Sequence, residues 1–189
     1  MLAENPQVNA ANVPASGKDG RHTKGDIQGA LDGDGMIHVM AGTVEQGQGP
    51  TTQFSQIAAD SVGVSMEQMR ITLGDTGAAP YPVPTFSSVS TVGTGKAVQI
   101  AAEKLRDKIL ASAAEMLGAD VEQLTVHENK VLSDAQSVSL LDISEHMASK
   151  GESTLCESEL KWKGEAPTIL YGYNSGLMEL DVNTETGEV

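Results

Sequence analysis

Residues 36–63 read MIHVMAGTVEQGQGPTTQFSQIAADSVG, and the order of patterns within them decides the fold. The dense apolar run Met36–Ala41 follows a DGDG turn signal and predicts a strand. Three glycines then interrupt regular structure, and Thr51 or Thr52 can cap a helix whose apolar residues keep helical spacing up to Gly63. The stretch therefore predicts a strand, a glycine turn and a helix.

The connection that follows this helix occurs twice in the chain. Residues 63–71 read GVSMEQMRI and residues 118–126 read GADVEQLTV, and each copy follows a helical pattern and leads into a strand. The first copy has the form of a capping box at Ser65 and continues into the alternating run Met69–Leu73. Two copies are too few for a solenoid, so the pattern fits an α+β fold, and a chance match of a common connection is an equally good interpretation.

The rest of the chain predicts helices in its middle and strands toward its end. Apolar spacing predicts a long helix over Thr91–Leu117, ended by Gly118, and a shorter one over Leu141–Ser149. Strands are expected over Thr154–Trp162 and Ile169–Val182, and the sequence NTETG that follows predicts a turn. The face of the long helix that is expected to be buried carries Val98, Ala102, Leu105, Ile109, Ala113 and Met116.

These elements indicate an α+β fold with mixed sheets and packed helices. Residues 1–35 show no sustained periodicity and are expected to form an extended segment that leads into the domain. Residues 36–189 are interpreted as a partial domain, in which the pattern allows two lobes, 36–120 and 121–189. Aromatic residues make up only 3% of the chain, which leaves few large anchors for a self-sufficient core.

The charge balance restricts the partners of the chain. With 26 acidic and 12 basic residues, its formal net charge of −14 repels nucleic acid and anionic membranes, so neither is expected as a partner. An anionic ligand would have to be held by backbone N–H groups and hydroxyls. The single cysteine, Cys156, cannot form an internal disulfide and, with no secretory pattern after Met1, indicates a cytoplasmic protein.

The glycine turn Gly42–Gly49 carries two glutamine side chains and is the first candidate binding site. Glycines let the backbone approach a ligand closely, and the helix start that follows presents free N–H donors to an anion or a polar ring edge. A tight turn whose glutamines only satisfy their neighbours is an equally good interpretation of this local pattern.

A second candidate lies in residues 80–96, PYPVPTFSSVSTVGTGK. Three prolines stiffen the approach, and hydroxyl residues cluster where the long helix starts, which suits a phosphate or a pterin-like heterocycle. An over-capped helix in a serine-rich loop is the alternative. A nucleotide-binding P-loop is excluded, because Ser90 stands where it needs a glycine and Ala97 where it needs a hydroxyl.

Other reactive side chains are expected to be structural. The histidines lack metal-ligand spacing, which gives a zinc site little support, and each is expected on the surface or in a strand. Cys156 is expected to be a small buried residue. Asp75 follows a predicted strand and is expected to bond its own backbone rather than a ligand. The four histidines are His22, His38, His127 and His146.

Taken in order, these segments resemble the molybdenum-binding part of the xanthine dehydrogenase and aldehyde oxidase family. The resemblance runs from about Asp34 to Val189, and it depends on the order and spacing of several motifs rather than on any one of them. The motifs are GTVEQGQG from residue 42, QIAAD from 56, GDT from 74, TFSSVST from 85, GKAV from 95 and ELDVNTETGEV from 179.

The resemblance implies that both candidate sites contact molybdenum-bound molybdopterin, in its mononucleotide or dinucleotide form. The cofactor contacts that it implies are Gln46, Gly47, Gln48, Ser87, Ser88, Val89, Ser90 and Thr91. Gln46 departs from the Met that is usual at its position, whereas Val89 matches the xanthine dehydrogenase form and replaces an Arg found in many relatives. No catalytic residue or protein ligand to a metal is expected in this chain.

The resemblance also implies a reaction and its partners. The family hydroxylates a carbon next to a nitrogen or a carbonyl, in purines, other N-heterocycles or aldehydes, and its glutamate base lies beyond a point matching Val189. We therefore expect a fragment that is inactive alone and that works with the remainder of the molybdenum-binding subunit. The 2Fe-2S cluster and FAD are expected on other segments or subunits, since one cysteine cannot ligate a cluster. The alternative is a non-catalytic carrier or interaction module of the same fold.

Overall fold

The computed structural model describes residues 29–75, 85, 90–158 and 175–189. The described residues form the predicted α+β class, and none of their helices combines the length and apolar character that a membrane span requires. In chain order the elements are β1 (Gly29–Leu31), β2 (Ile37–Ala41), α1 (Pro50–Val62), β3 (Met69–Leu73), α2 (Gly95–Leu117), β4 (Thr125–His127), β5 (Lys130–Leu132), β6 (Ser137–Ser139) and α3 (Leu140–Ser149).

The first sheet is mixed, and its central strand is the one predicted over Met36–Ala41. β2 lies antiparallel to β1 and parallel to β3, with Ile37 opposite Met69 and Ala41 opposite Leu73. Parallel neighbours need a crossover connection, and α1 provides it between β2 and β3. β1 was not predicted, since it falls within residues 1–35, the segment expected to lead into the domain. A strand of three residues is too short to show the alternation of apolar and polar residues that identifies a strand.

Helix α1 completes the predicted strand, turn and helix but begins earlier than expected. Its N-cap is Gly49, in the left-handed region at φ 72°, and Pro50 is its first residue. The predicted caps at Thr51 or Thr52 are therefore wrong. Proline fits the first helical position because its missing N–H would have no partner there, so the helix starts before either threonine.

The repeated helix-to-strand connection is confirmed as a repeated local geometry. Each copy ends a helix at a glycine and continues through a short 3-10 turn, Met66–Gln68 in the first copy and Val121–Gln123 in the second, before a strand begins. The predicted capping box at Ser65 is wrong, because the Gln68 N–H donates to the carbonyl of Ser65 (3.1 Å) rather than to its hydroxyl.

The second sheet is an antiparallel meander of β4, β5 and β6. The repeat predicts β4, whereas the three-residue strands β5 and β6 give no periodic signal. Helix α3 follows β6 directly and begins with a capping box, in which the Asp142 N–H donates to Ser139 Oγ (3.1 Å). The helix expected over Leu141–Ser149 is confirmed, with one additional residue at its start.

One hydrophobic core joins the helices to both sheets. Phe54 of α1, Ile109 of α2 and Val131 of β5 are fully buried in it. Five of the six residues expected on the buried face of α2 lie in this core, but Met116 is 36% exposed, because Leu117 instead packs against the core in the last turn. Both predicted lobes contribute to the core, and their division stays a prediction.

The strand predicted over Thr154–Trp162 is wrong for its described part. That stretch carries no strand, and side chains of α2 bond its backbone. Lys108 Nζ donates to the carbonyl oxygen of Leu155 (2.8 Å) and to that of Ser153 just before the stretch (2.9 Å), and Lys104 Nζ donates to the carbonyl oxygen of Glu157 (2.9 Å). Lysine ammonium groups therefore take the place of a neighbouring strand, and Cys156 is buried, as predicted.

The last described segment contains a turn but no strand. The prediction over Ile169–Val182 lies partly outside the described residues, and it is wrong for residues 175–182. The predicted NTETG turn is confirmed, since the Asn183 N–H donates to the Glu188 carbonyl (2.8 Å) and the Gly187 N–H to the Asn183 carbonyl (2.8 Å).

Candidate cofactor site

The glycine turn between β2 and α1 is closed by a carboxylate. Gly47 and Gly49 both have positive φ, 93° and 72°, a conformation that glycine adopts without strain. Their N–H groups donate to the same oxygen of Glu45, at 2.7 Å and 3.1 Å. The backbone donors that the sequence offered to an anionic ligand are thus bonded to an anion that the turn itself supplies.

The two predicted glutamines of this turn have different surroundings. The amide of Gln48 braces the turn, because its oxygen accepts the Gln46 N–H (2.6 Å) and its nitrogen donates to the Val44 carbonyl (2.9 Å). This is the alternative considered from the sequence, in which a glutamine satisfies its neighbours. Gln46 is exposed and carries its side chain at the surface of the turn.

The second candidate site lies at the start of α2 and has an unusual backbone. A π-helical turn over Ser90–Thr94 precedes the α-helix, which begins at Gly95 rather than at the predicted Thr91. Such wide turns are rare and occur frequently at functional sites. Ser90 is buried and Thr91 is exposed. The predicted contacts Ser87, Ser88 and Val89 lie outside the described residues.

The structure places the glycine turn, Gly42–Gly49, beside the π-helical turn at the start of α2, Ser90–Thr94. These are the first and the second junction of the candidate site. Thr43, in the glycine turn, donates from Oγ1 to Oγ1 of Thr94 in the π-helical turn (3.4 Å). Close packing of the helices supports this contact, since a Cβ added to Gly95 would lie 3.0 Å from Ile57 Cδ1. The predicted contacts Gln48 and Thr91 therefore belong to one region of the surface, although 43 positions separate them in the sequence.

Gln53 links the junctions directly, and sequence reasoning missed it. Its Nε2 donates to the Gln48 carbonyl (2.8 Å), and its Oε1 accepts from Thr91 Oγ1 (2.8 Å). The available signal was a polar residue in the first turn of α1, directly after the glycine turn. That signal identifies a side chain near the first junction but does not reveal its second hydrogen-bond partner, Thr91.

The amide and hydroxyl side chains of the two junctions, Gln46, Gln48, Ser90 and Thr91, are the donor and acceptor types that a pterin edge or a phosphate requires. Thr85 Oγ1, at the beginning of the serine-rich segment, is buried and makes no hydrogen bond among the described residues. Buried polar atoms are nearly always bonded, so this hydroxyl suits a site that another polar group completes. The described residues contain no group of three His, Cys, Asp or Glu side chains arranged to ligate a metal.

The side chains with the most perturbed pKa values lie at the opposite end of β2 from the glycine turn. Buried Asp32 pairs with Arg70, whose second nitrogen contacts Asp34 (3.0 Å). Burial raises the pKa of Asp32 to about 6 although Arg70 opposes the shift, and burial together with Arg70 lowers the pKa of His38 to about 4. His38 Nε2 lies 2.8 Å from Thr72 Oγ1. His38 is thus a strand histidine, as predicted, in a cluster that ties β2 to β3.

Known proteins that match the chain point to one family. A family model described as the molybdopterin cofactor-binding domain matches residues 8–189. The probable hypoxanthine oxidase XdhD of Escherichia coli K12 is 32% identical over 162 residues, which cover 84% of this chain and 16% of that protein. The carbon monoxide dehydrogenase large chain of Hydrogenophaga pseudoflava is 32% identical over 153 residues, which cover 78% of this chain and 19% of that protein.

The fold of a solved relative agrees with these matches. The Cu,Mo-CO dehydrogenase in its carbon monoxide reduced state matches with a TM-score of 0.58 and 25% identity, over 69% of this chain and 17% of that chain. This chain therefore spans 16 to 19% of the length of these three proteins. The family match covers nearly the whole sequence and confirms the resemblance, so the chain belongs to the molybdopterin cofactor-binding domain family of the molybdenum hydroxylases.

Proposed function

We propose that this chain holds molybdopterin between the glycine turn and the start of α2 in a larger hydroxylase. The observation that supports this most is the adjacency of the two junctions, which hydrogen bonds join through Gln53. The first junction offers the exposed amide of Gln46 and the carbonyl of Gly47, whose N–H already bonds Glu45, and the second offers the oxygen of the Thr91 hydroxyl, whose proton is donated to Gln53. The proposed cofactor contacts remain Gln46, Gly47, Gln48, Ser87, Ser88, Val89, Ser90 and Thr91.

The two junctions suit different parts of the cofactor. The N–H groups of Gly47 and Gly49 already bond Glu45, so the first junction is better suited to the uncharged amide edge of the pterin. The start of α2 combines hydroxyl groups with the positive end of a 23-residue helix, which favours a phosphate. Dipoles rather than basic side chains would therefore hold an anionic cofactor on a chain of net charge −14.

The proposed reaction is hydroxylation of a purine or another N-heterocycle, with aldehydes as the other substrate class. When bound, the molybdenum centre supplies the oxidative chemistry. A relative is named as a probable hypoxanthine oxidase, and residues 85–91 of this chain resemble the xanthine dehydrogenase form. The 2Fe-2S cluster and FAD belong to other segments or subunits in this proposal, and the location is the cytoplasm.

Cofactor analysis tests this function. The complete protein that contains this segment, purified from a host that makes molybdopterin, should contain molybdenum and release a fluorescent pterin on oxidation. Gln48→Ala removes two bonds that brace the glycine turn and should increase pterin loss about tenfold, by analogy with supporting residues of metal sites. Gln123→Ala, at an exposed position in the second 3-10 turn, is the matched control. A wild-type protein without pterin would instead support the non-catalytic carrier.

The chain by itself should not turn over substrate. Binding groups cannot replace the base and the substrate-orienting residues that this proposal assigns to other segments. Xanthine or hypoxanthine hydroxylation, measured with an artificial electron acceptor and added cofactor, should stay at the background rate for residues 1–189. Turnover above that rate would contradict the proposed division of the site.

A further inference from the structure

The side chain of Gln53 lies between the two junctions and contacts both. Its Nε2 donates to the carbonyl oxygen of Gln48, and its Oε1 accepts from the hydroxyl of Thr91, each at 2.8 Å. Neither partner belongs to the α-helix that carries Gln53, since Gln48 lies before α1 and Thr91 lies in the π-helical turn. The residue therefore connects two backbone segments that regular helical bonding does not connect.

These two bonds also determine the orientation of the amide. A reversed amide would place its oxygen against the carbonyl oxygen of Gln48, where two acceptors repel each other. A glutamine side chain is normally free to change rotamer and loses that freedom only when its contacts repay the entropy. Because both ends of the Gln53 amide are bonded, the side chain acts as a spacer of fixed length.

Apolar packing alone does not explain the spacing of the junctions. The contact between Ile57 and Gly95 fixes the bodies of α1 and α2. The carbonyl of Gln48 and the hydroxyl of Thr91 both lie before those helices, where core packing constrains them less. Gln53 is the described side chain that bonds both groups at once.

We propose that Gln53 is a positioning residue that sets the distance between the two halves of the cofactor site. This inference rests on the proposed function. Gln53 contributes by holding Gln48 and Thr91 rather than by touching the reacting atoms. Without it, each half keeps its own groups, and of the two side chains described as bonding across the halves only Thr43 remains, through its long bond to Thr94 (3.4 Å), so the spacing is held less firmly when the pterin binds.

The test uses the complete cofactor-loaded protein and follows how fast pterin is lost on dialysis, together with the Tm of the cofactor-free form. Gln53→Leu removes both bonds and should accelerate pterin loss about tenfold with little change in that Tm. Gln53→Glu keeps an acceptor for Thr91 but places its second carboxylate oxygen against the Gln48 carbonyl, where two acceptors repel each other, so it should lose pterin at least as fast as Gln53→Leu. Gln56→Leu, at an exposed position on the same helix, is the matched control and should behave as the wild type.

A double variant separates positioning from general stability. If Gln53 acts through Thr91, combining Gln53→Leu with Thr91→Val should release pterin more slowly than the product of the two single effects predicts. Pterin loss that only follows a fall in the Tm of the cofactor-free form would overturn the positioning role. So would wild-type retention in both Gln53 variants. In these cases the proposed function stands, whereas a wild-type protein that lacks pterin refutes that function itself.

Discussion

Replacing Phe54 by alanine should lower the free energy of unfolding by about 3–5 kcal/mol, because a fully buried ring leaves a cavity when it is truncated. Phe54 lies on α1 directly after Gln53, and its ring edge is 4.0 Å from the position of a Cβ on Gly95. The ring therefore supports the helix contact beside both junctions. Urea denaturation of the chain, followed by circular dichroism, measures the loss.

Leu141→Ala is the control for this prediction. Leu141 is also an apolar residue in a helix, but it is 41% exposed, so its truncation should cost less than about 1 kcal/mol. Similar urea midpoints for the Phe54 and Leu141 variants would show that the packing of α1 on α2 contributes little to the stability of the fold.

Arg70→Met should destabilise the chain by about 3–5 kcal/mol at pH 7.5, because it leaves the buried carboxylate of Asp32 without its partner. The loss should be largely reversed in the Asp32→Asn, Arg70→Met double variant, which removes the buried charge. Arg106→Met is the control and should cost no more than about 2 kcal/mol, since it removes a surface pair with exposed Asp107 and one hydrogen bond to the Ser61 carbonyl (3.2 Å) but leaves no buried charge unpaired.

The cost of Arg70→Met should also depend on pH. The native pKa of Asp32, about 6, lies above its unfolded value of 3.8, so stability falls as the pH rises through 6. Removing Arg70 raises that pKa further and enlarges the loss at neutral pH, whereas at pH 5 the carboxyl is protonated in the variant and the loss shrinks. The lowered pKa of His38 makes the folded chain lose stability as the pH falls below 6.5. Removing Arg70 brings the pKa of His38 closer to its unfolded value, so the variant loses less of this stability than the wild type. The destabilisation by Arg70→Met should therefore be smaller at low pH for this reason too. Equal destabilisation at pH 5 and 7.5 would contradict this account.

Periodicity predicted the elements that are long enough to show it. The apolar stripe of α2 and the dense run of β2 both exceed one repeat of their structure, so their patterns can be recognised. β1, β5 and β6 have three residues each and take their conformation from the neighbours they pair with. The stretch after Thr154 shows the opposite error, because a strand was predicted where none forms. Its sequence has a strand-like pattern, but Lys108 of α2, rather than a neighbouring strand, bonds its backbone.

From local patterns the candidate site was predicted as two separate turns, and only the family resemblance assigned both to one cofactor. Glycines and hydroxyls identified each turn, because those residue types have local backbone roles. Their adjacency depends on how α1 packs against α2, which no local pattern encodes. The role proposed for Gln53 depends on that packing, so the same residue type at the same helical position would have no such role in another fold.

The Glu45 carboxylate in the glycine turn has a consequence for ligand choice. Free phosphate and sulfate are abundant competitors for any pair of convergent backbone amides, and a tethered carboxylate at high effective concentration displaces them. The conformation of the loop is thus fixed before any ligand binds. Under the proposed function, it then selects its ligand by the shape and hydrogen-bonding edge of the flat pterin ring, because negative charge alone gains nothing where Glu45 already bonds the amides.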